Sequence, residues 1–285
     1  MLIEAEGKDP VELRILQGDD MFSTYSISSL RLVQPFYYSA NSDRADVFFN
    51  GAAGLTISSY AGDIAELQDT GLEDGGARIK VTVEQTVTSD EKTEVTTSVY
   101  RIGNYASADQ VYVQVDDTTA VYLVGTDTLS FLDNATPGYL VDQFANLVYI
   151  SRVDHINIAC GDEEWNVDVE HIQKEDSTNT TDTFAFNGKP VVEDKPFRKL
   201  YQELIGLTNS KLSDDYAYDG KPFMTVTYTL NVEPGELVVE YLEYDDNYLM
   251  VRRDGLTLFL IKKDKVESLR DSLRAYDEGT YVPQG

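Results

Sequence analysis

Two histidines, one cysteine and 50 acidic residues are the groups that could carry chemistry in this chain of 285 residues. Histidine is the usual general base and metal ligand, and His155 and His171 stand on either side of the Gly161-Asp162 turn. A hairpin there could bring them together as a two-histidine metal site; the plainer reading is two separate surface histidines. Cys160 closes the alternating run Ile156-Asn157-Ile158-Ala159-Cys160 and shares a face with its isoleucines. A buried, inert thiol is the expectation, because a nucleophilic cysteine needs an activating base and electropositive surroundings and this region is acidic. Asp162/Glu164 and Asp214/Asp215 are close acidic pairs of the kind glycosidases use, but so many carboxylates make such pairs common. Asp214-Asp215-Tyr216-Ala217-Tyr218-Asp219-Gly220 comes nearest to a calcium loop and lacks its spacing, so only weak, incidental calcium binding at clustered acids stays open. The chain has no phosphate-cradling glycine loop, no Gly-x-Ser-x-Gly elbow and no Cys-x-x-Cys pair. No catalytic, cofactor-binding or metal-ligating residue is therefore assigned, and no cofactor is expected.

The aromatic residues are equally open. Phe22 and Trp165 each follow a turn and read as core anchors, with an exposed binding platform as the alternative. Tyr37, Tyr38, Tyr241, Tyr244 and Tyr248 cluster near predicted strand ends, where tyrosine suits both sheet packing and protein recognition.

The elements that must position these residues are written twice. Gly18-Asp19-Asp20-Met21-Phe22 recurs as Gly161-Asp162-Glu163-Glu164-Trp165, and Val121-Tyr122-Leu123-Val124 with Asp127, Leu129 and Leu132 recurs as Leu258-Phe259-Leu260-Ile261 with Asp264, Val266 and Leu269. So long a period implies a duplicated domain rather than a solenoid of repeats of ~20–50 residues. In the second copy, period-two alternation predicts strands over 224–230, 237–244, 248–252 and 256–261. Pro234-Gly235, Asp245-Asp246-Asn247 and Asp254-Gly255 mark the turns between them. Asp264, with Glu267 three residues on, predicts a capping box for a closing helix whose stripe is Val266, Leu269, Leu273 and Tyr276. The first copy repeats the plan with Ile79/Val81/Val83, Val95 to Ile102, Val111/Val113/Val115 and Val121 to Val124, and Asp127 as the cap of a short helix.

Each copy also predicts a helix ahead of its meander. Asp194 is the expected N-cap of one, with Pro196 in its first turn and Phe197, Leu200, Tyr201, Leu204 and Leu207 on one face. Val47, Phe48, Ala52 and Leu55 keep that spacing in the first copy, where Gly51 and Gly54 weaken the helix by roughly 1 kcal/mol each. Gly71-Leu72 and Gly206-Leu207 read as equivalent pairs before the two meanders. Leu140, Val141, Phe144, Leu147 and Val148 predict a linking helix over 138–148. The expected organisation is a first lobe over 1–136, a linking helix in 137–153 and a second lobe over 154–285. The expected fold is α+β: two similar lobes, each an antiparallel β-meander sheet with helices packed on one face.

The formal charge is −27. Phosphate binding needs clustered Lys and Arg, so nucleic acid is excluded as a partner and anionic membrane surfaces are disfavoured, while a cationic, metal-bearing or neutral partner stays open. The start, Met1-Leu2-Ile3-Glu4-Ala5-Glu6, has neither the basic nor the apolar region of a signal peptide. That leaves a native soluble protein or one whose N-terminal anchor has been removed.

The chain resembles a bacterial family, the domain of unknown function numbered 4340, from about Leu13 to Tyr276. The carriers are Ile156-x-Ile158 leading to Gly161 and Trp165, and Asn187-Gly188 ahead of Phe197-Arg198-Lys199-Leu200-Tyr201. Thr70-Gly71-Leu72 before a strand, Ile102-Gly103 ending one, and the paired Val/Leu-Tyr/Phe-Leu-Val/Ile strands followed by Asp complete the set. The resemblance implies a membrane-anchored, extracytoplasmic envelope protein, in some members linked to ABC-type export systems, with a protein partner and no established catalytic residues. The chain departs from that pattern by lacking the anchor. Two functions follow as expectations: a non-enzymatic binding or accessory domain, or a carboxylate- or divalent-metal-dependent hydrolase of the cell envelope.

Overall fold

The structure is a computed structural model that describes residues 1–16, 29–89, 92–173, 180–213, 217–253 and 255–283. The chain divides into two compact units between Asp142 and Gln143. Each unit is built on one nine-stranded antiparallel sheet. The first sheet contains β1 (Leu2–Ala5), β2 (Val11–Ile15), β3 (Leu30–Gln34), β4 (Tyr38–Ser39), β5 (Ile57–Asp63), β6 (Ile79–Ser89), β7 (Lys92–Tyr105), β8 (Gln110–Val115) and β9 (Ala120–Gly125). Their spatial order is β4-β3-β2-β1-β6-β7-β8-β9-β5.

The second sheet contains β10 (Val153–Cys160), β11 (Glu163–Gln173), β12 (Thr180–Phe186), β13 (Lys189–Pro190), β14 (Lys211–Leu212), β15 (Pro222–Leu230), β16 (Glu236–Glu243), β17 (Tyr248–Arg253) and β18 (Leu256–Lys262). Its order, β13-β12-β11-β10-β15-β16-β17-β18-β14, is the same permutation. Four strands wind outward to one edge. A helix, α1 (Ser42–Ala53) or its counterpart α3 (Asp194–Ile205), then carries the chain to the opposite edge. The last four strands restart in the middle, where β6 pairs with β1 and β15 with β10. A shared order that returns to the centre of the sheet is the strongest mark of duplication, and the two lobes are similar in the way the repeats imply.

The register of the repeat differs from the sequence reading. Gly161 turns the β10–β11 hairpin, and the residue at the same place in the first sheet is Gly7, in the β1–β2 turn. Both have positive φ, 62° and 70°, a conformation glycine adopts without steric penalty. Gly18 to Phe22 lie outside the described residues. Likewise the counterpart of Gly206-Leu207 is Gly54-Leu55 rather than Gly71-Leu72. Gly54 and Gly206 each end a helix, their N–H groups donating to Asn50 O and Gln202 O at 2.8 Å. Gly71 instead follows β5, in a loop locked to the end of β7. There the Asn104 N–H donates to Thr70 O at 2.6 Å, and the Asn104 side chain to Asp69 O at 3.1 Å.

Three expected caps and one helix are corrected. The closing helix α4 (Lys263–Asp277) follows β18 without a break, its N-cap is Lys262, and Asp264 makes no capping bond. A backbone group does that work: the Lys263 N–H donates to Asn247 O in the neighbouring turn at 2.8 Å. In the first unit, Asp127 lies inside a 3-10 helix, Thr126–Asn134, whose Thr126 N–H donates to Asp109 O. Asp194 is the first residue inside α3 and Glu193 is the N-cap, whereas Asn41 truly caps α1 by accepting from the Arg44 N–H.

Of the expected linking helix only α2 (Pro137–Leu140) forms. Beyond it the backbone finds partners outside itself: the Asp142 N–H donates to Ser39 O and the Ala145 N–H to Leu207 O. These bonds replace the i−4 bonds a helix would make, while Leu140, Val141, Ala145 and Val148 still bury their side chains. Among the described residues no helix is long and apolar enough to cross a membrane.

Candidate functional site

The structure separates the histidines. His155 pairs across the ladder with Asp168, and its Nδ1 lies 2.8 Å from the Asp168 carboxylate. His171 lies three residues beyond Asp168 on the same strand, so alternation puts it on the opposite face. Its Nδ1 meets Asp182 at 2.8 Å and its Nε2 meets Val153 O at 3.1 Å. Each imidazole is thus tied to its own carboxylate. Among the described residues no three His, Cys, Asp or Glu side chains are grouped to hold a metal ion.

The other candidates scatter in the same way. Cys160 is buried, and burial pushes its thiol up. Trp165 is buried as a core anchor. Glu164 accepts from the Asn157 side chain at 2.6 Å, while exposed Asp162 sits in the turn. Asp214 and Asp215 fall outside the described residues, as does Phe22. Tyr38 and Tyr241 are buried, and Tyr37 and Tyr244 are exposed.

The feature that the sequence reading missed is a groove of about 310 Å³ in the second unit. One wall begins at Phe186, the end of β12. Asn187 and Gly188, with φ of 48° and 71°, turn the chain tightly into β13; two successive positive φ values are the signature of a type I′ hairpin, for which Asn-Gly is the preferred pair. Pro190 has no N–H to offer and is tolerated because β13 is an edge strand. The chain then runs through Val191, Val192 and Glu193 into α3, where Pro196 completes this wall.

The other wall comes from the end of α4. Gly279, at φ 73°, reverses the chain, and the N–H groups of Thr280 and Tyr281 both donate to Ala275 O. This return sets the Tyr281 ring 5.8 Å from Tyr276, which in turn meets Phe186 edge-on at 4.8 Å. The Tyr281 hydroxyl donates to Glu203 of α3 at 2.7 Å and so ties the tail to the helix.

Burial first, and then the Glu203 carboxylate, push the Tyr281 phenol up; burial and then Asp194 raise that of Tyr276. Both rings therefore stay neutral. Glu193 and Asp277 add two carboxylates, and the one basic lining residue is Lys189, whose ammonium lies 3.9 Å from Asp277. Val192 of this lining, at 93%, and Val282, next in sequence to Tyr281, at 79%, are the two most exposed large apolar side chains among the described residues. The lining includes no histidine, cysteine or serine. What it offers is apolar contact, aromatic faces and negative charge. The corresponding end of the first unit is the shorter 3-10 helix, so the duplicated scaffold carries this tail in one copy only.

One signal in the sequence could have found the groove. Asn187-Gly188 followed by Pro190 and Pro196 marks a rigid turn entering a helix. The meeting of that turn with Tyr276 and Tyr281 is set by tertiary contact alone. Compared with known protein families, with curated proteins and with solved structures, the chain matches none.

Proposed function

We propose that this chain is a non-enzymatic recognition module that receives a segment of a protein partner in the groove of its second unit. The single observation that supports it is an aromatic, proline-walled depression flanked by nearly fully exposed valines. Scattered exposed apolar residues need no explanation, but apolar residues gathered at a shaped groove mark interaction sites. The helices, in this reading, cover one face of each sheet and support the groove from behind. A ring contact between Phe184 of β12 and Phe197 of α3 favours that arrangement in the second unit. The place of action is extracytoplasmic, at the bacterial envelope, as an accessory to an ABC-type export system; the family resemblance is what supports this part.

The test is a selection of displayed random peptides on the intact protein, followed by hydrogen exchange of the complexes. Bound peptides should slow exchange over 186–193 and 276–281, and the uncharged Val192→Asn, at a side chain that packs against little, should weaken them several-fold. Selected peptides that protect other segments and ignore Val192→Asn would refute the reading.

A further inference from the structure

Resting on that reading, we infer that the occupant of the groove presents a lysine or arginine side chain, held between the Tyr276–Tyr281 pair and the carboxylates of Glu193 and Asp277. Four observations converge. The tyrosine rings are neutral and stand edge-to-face, with a carboxylate behind them in Glu203. A cation over such a ring is attracted by its quadrupole, and a nearby acid adds to the attraction.

The chain already satisfies other aromatic faces with its own cations. The Arg198 guanidinium lies 5.0 Å from the centre of Phe184, the Arg78 guanidinium 4.3 Å from that of Tyr105, and the Lys263 ammonium 5.5 Å from that of Phe223. At the groove the internal cation is only loosely engaged: Lys189 is 3.9 Å from Asp277, and its side chain is 76% exposed. A partner's ammonium or guanidinium can displace it at little loss, since an exposed pair of this kind contributes little. Finally, a net charge of −27 draws cationic segments towards the molecule and repels acidic ones. The flanking Val192, Pro190 and Pro196 suit the apolar neighbours of that basic residue.

Overall acidity alone would attract any cation, so the test must separate local from diffuse binding. The probes are acetyl-Ala-Val-Lys-Val-Ala-amide and its norleucine and glutamate analogues, titrated into the full chain and followed by NMR. The lysine peptide should shift signals of 186–193 and 276–281, bind at least fivefold tighter than the norleucine peptide, and outcompete the glutamate peptide. The double variant Glu193→Gln/Asp277→Asn should erase that preference, and Tyr276→Leu, checked for folding by circular dichroism, should weaken the lysine peptide more than norleucine. Equal binding of lysine and norleucine peptides at the groove would overturn the inference and leave the recognition reading intact. Shifts spread over the surface and indifferent to these variants would overturn it in favour of diffuse electrostatics, and no binding by any probe would remove both readings. Concentration-dependent dimerisation abolished by Val192→Glu would assign the groove to a second copy of the chain instead.

Discussion

Gly51 offers the sharpest test of how the first unit is held together, because two effects of opposite sign meet at one atom. By local propensity, Gly51→Ala in α1 should stabilise the helix by about 1 kcal/mol. Tertiary structure opposes it. A Cβ built on Gly51 would lie 2.5 Å from both Cγ and Cδ1 of Phe131, where carbon atoms settle at about 3.5–4.0 Å. Phe131 is buried and meets the Phe48 ring edge-on at 6.0 Å, so neither ring has room to retreat. Overpacking of this kind costs about 1–3 kcal/mol, which outweighs the helix gain. The expected net loss is about 1 kcal/mol, or roughly 2–4 °C in melting temperature for a chain of this size. A double-mutant cycle isolates the cause. Phe131→Ala alone should cost about 3–5 kcal/mol, but in its background Gly51→Ala should turn stabilising by about 1 kcal/mol. Thermal and urea unfolding of the four proteins gives the coupling. A stabilising Gly51→Ala in the wild-type background would refute the reasoning.

Two further outcomes concern the second unit. Arg274 holds Glu163 through two hydrogen bonds of 2.8 Å, and this holds the Glu163 carboxyl below its usual range. A lowered folded-state pKa contributes stability that is fully present above the unfolded value, about 4.3, and is lost as pH falls through the folded value. The melting-temperature gap between wild type and Arg274→Gln should therefore be constant above about pH 5 and close in more acid solution; a gap that widens on acidification contradicts it. Cys160, buried and with its thiol pushed up, should react with a thiol reagent such as dithiobis-nitrobenzoate only after denaturant is added. Rapid labelling of the native protein would show the thiol to be reachable.

The residue pattern alone made the duplication, the four-stranded meanders and much of the core legible, but not the short edge strands that bring each sheet to nine. Period-two alternation located the second meander to within a residue or two, since a half-buried sheet demands it at every position; in the first, β6 and β7 run several residues beyond the alternating stretch, to Ser89 and over Lys92–Tyr105. It also put Cys160 and Trp165 inside, because they share a face with neighbours that must be buried. The features that local pattern could not reach are those where a backbone or a cavity finds a partner far away in the chain. Residues 141–149 carry a helical apolar spacing, yet backbone hydrogen bonds of Asp142 and Ala145 go to Ser39 of β4 and to Leu207 beyond α3, so no helix forms. Asp264 has the sequence of a cap, yet the carbonyl of Asn247 takes that place. Gly51 looks like a flaw in a helix until Phe131 is set against it. The groove is the same lesson at larger scale: Phe186, Pro196, Tyr276 and Tyr281 are distant in sequence, and local periodicity is blind to where chain reversals bring such residues together.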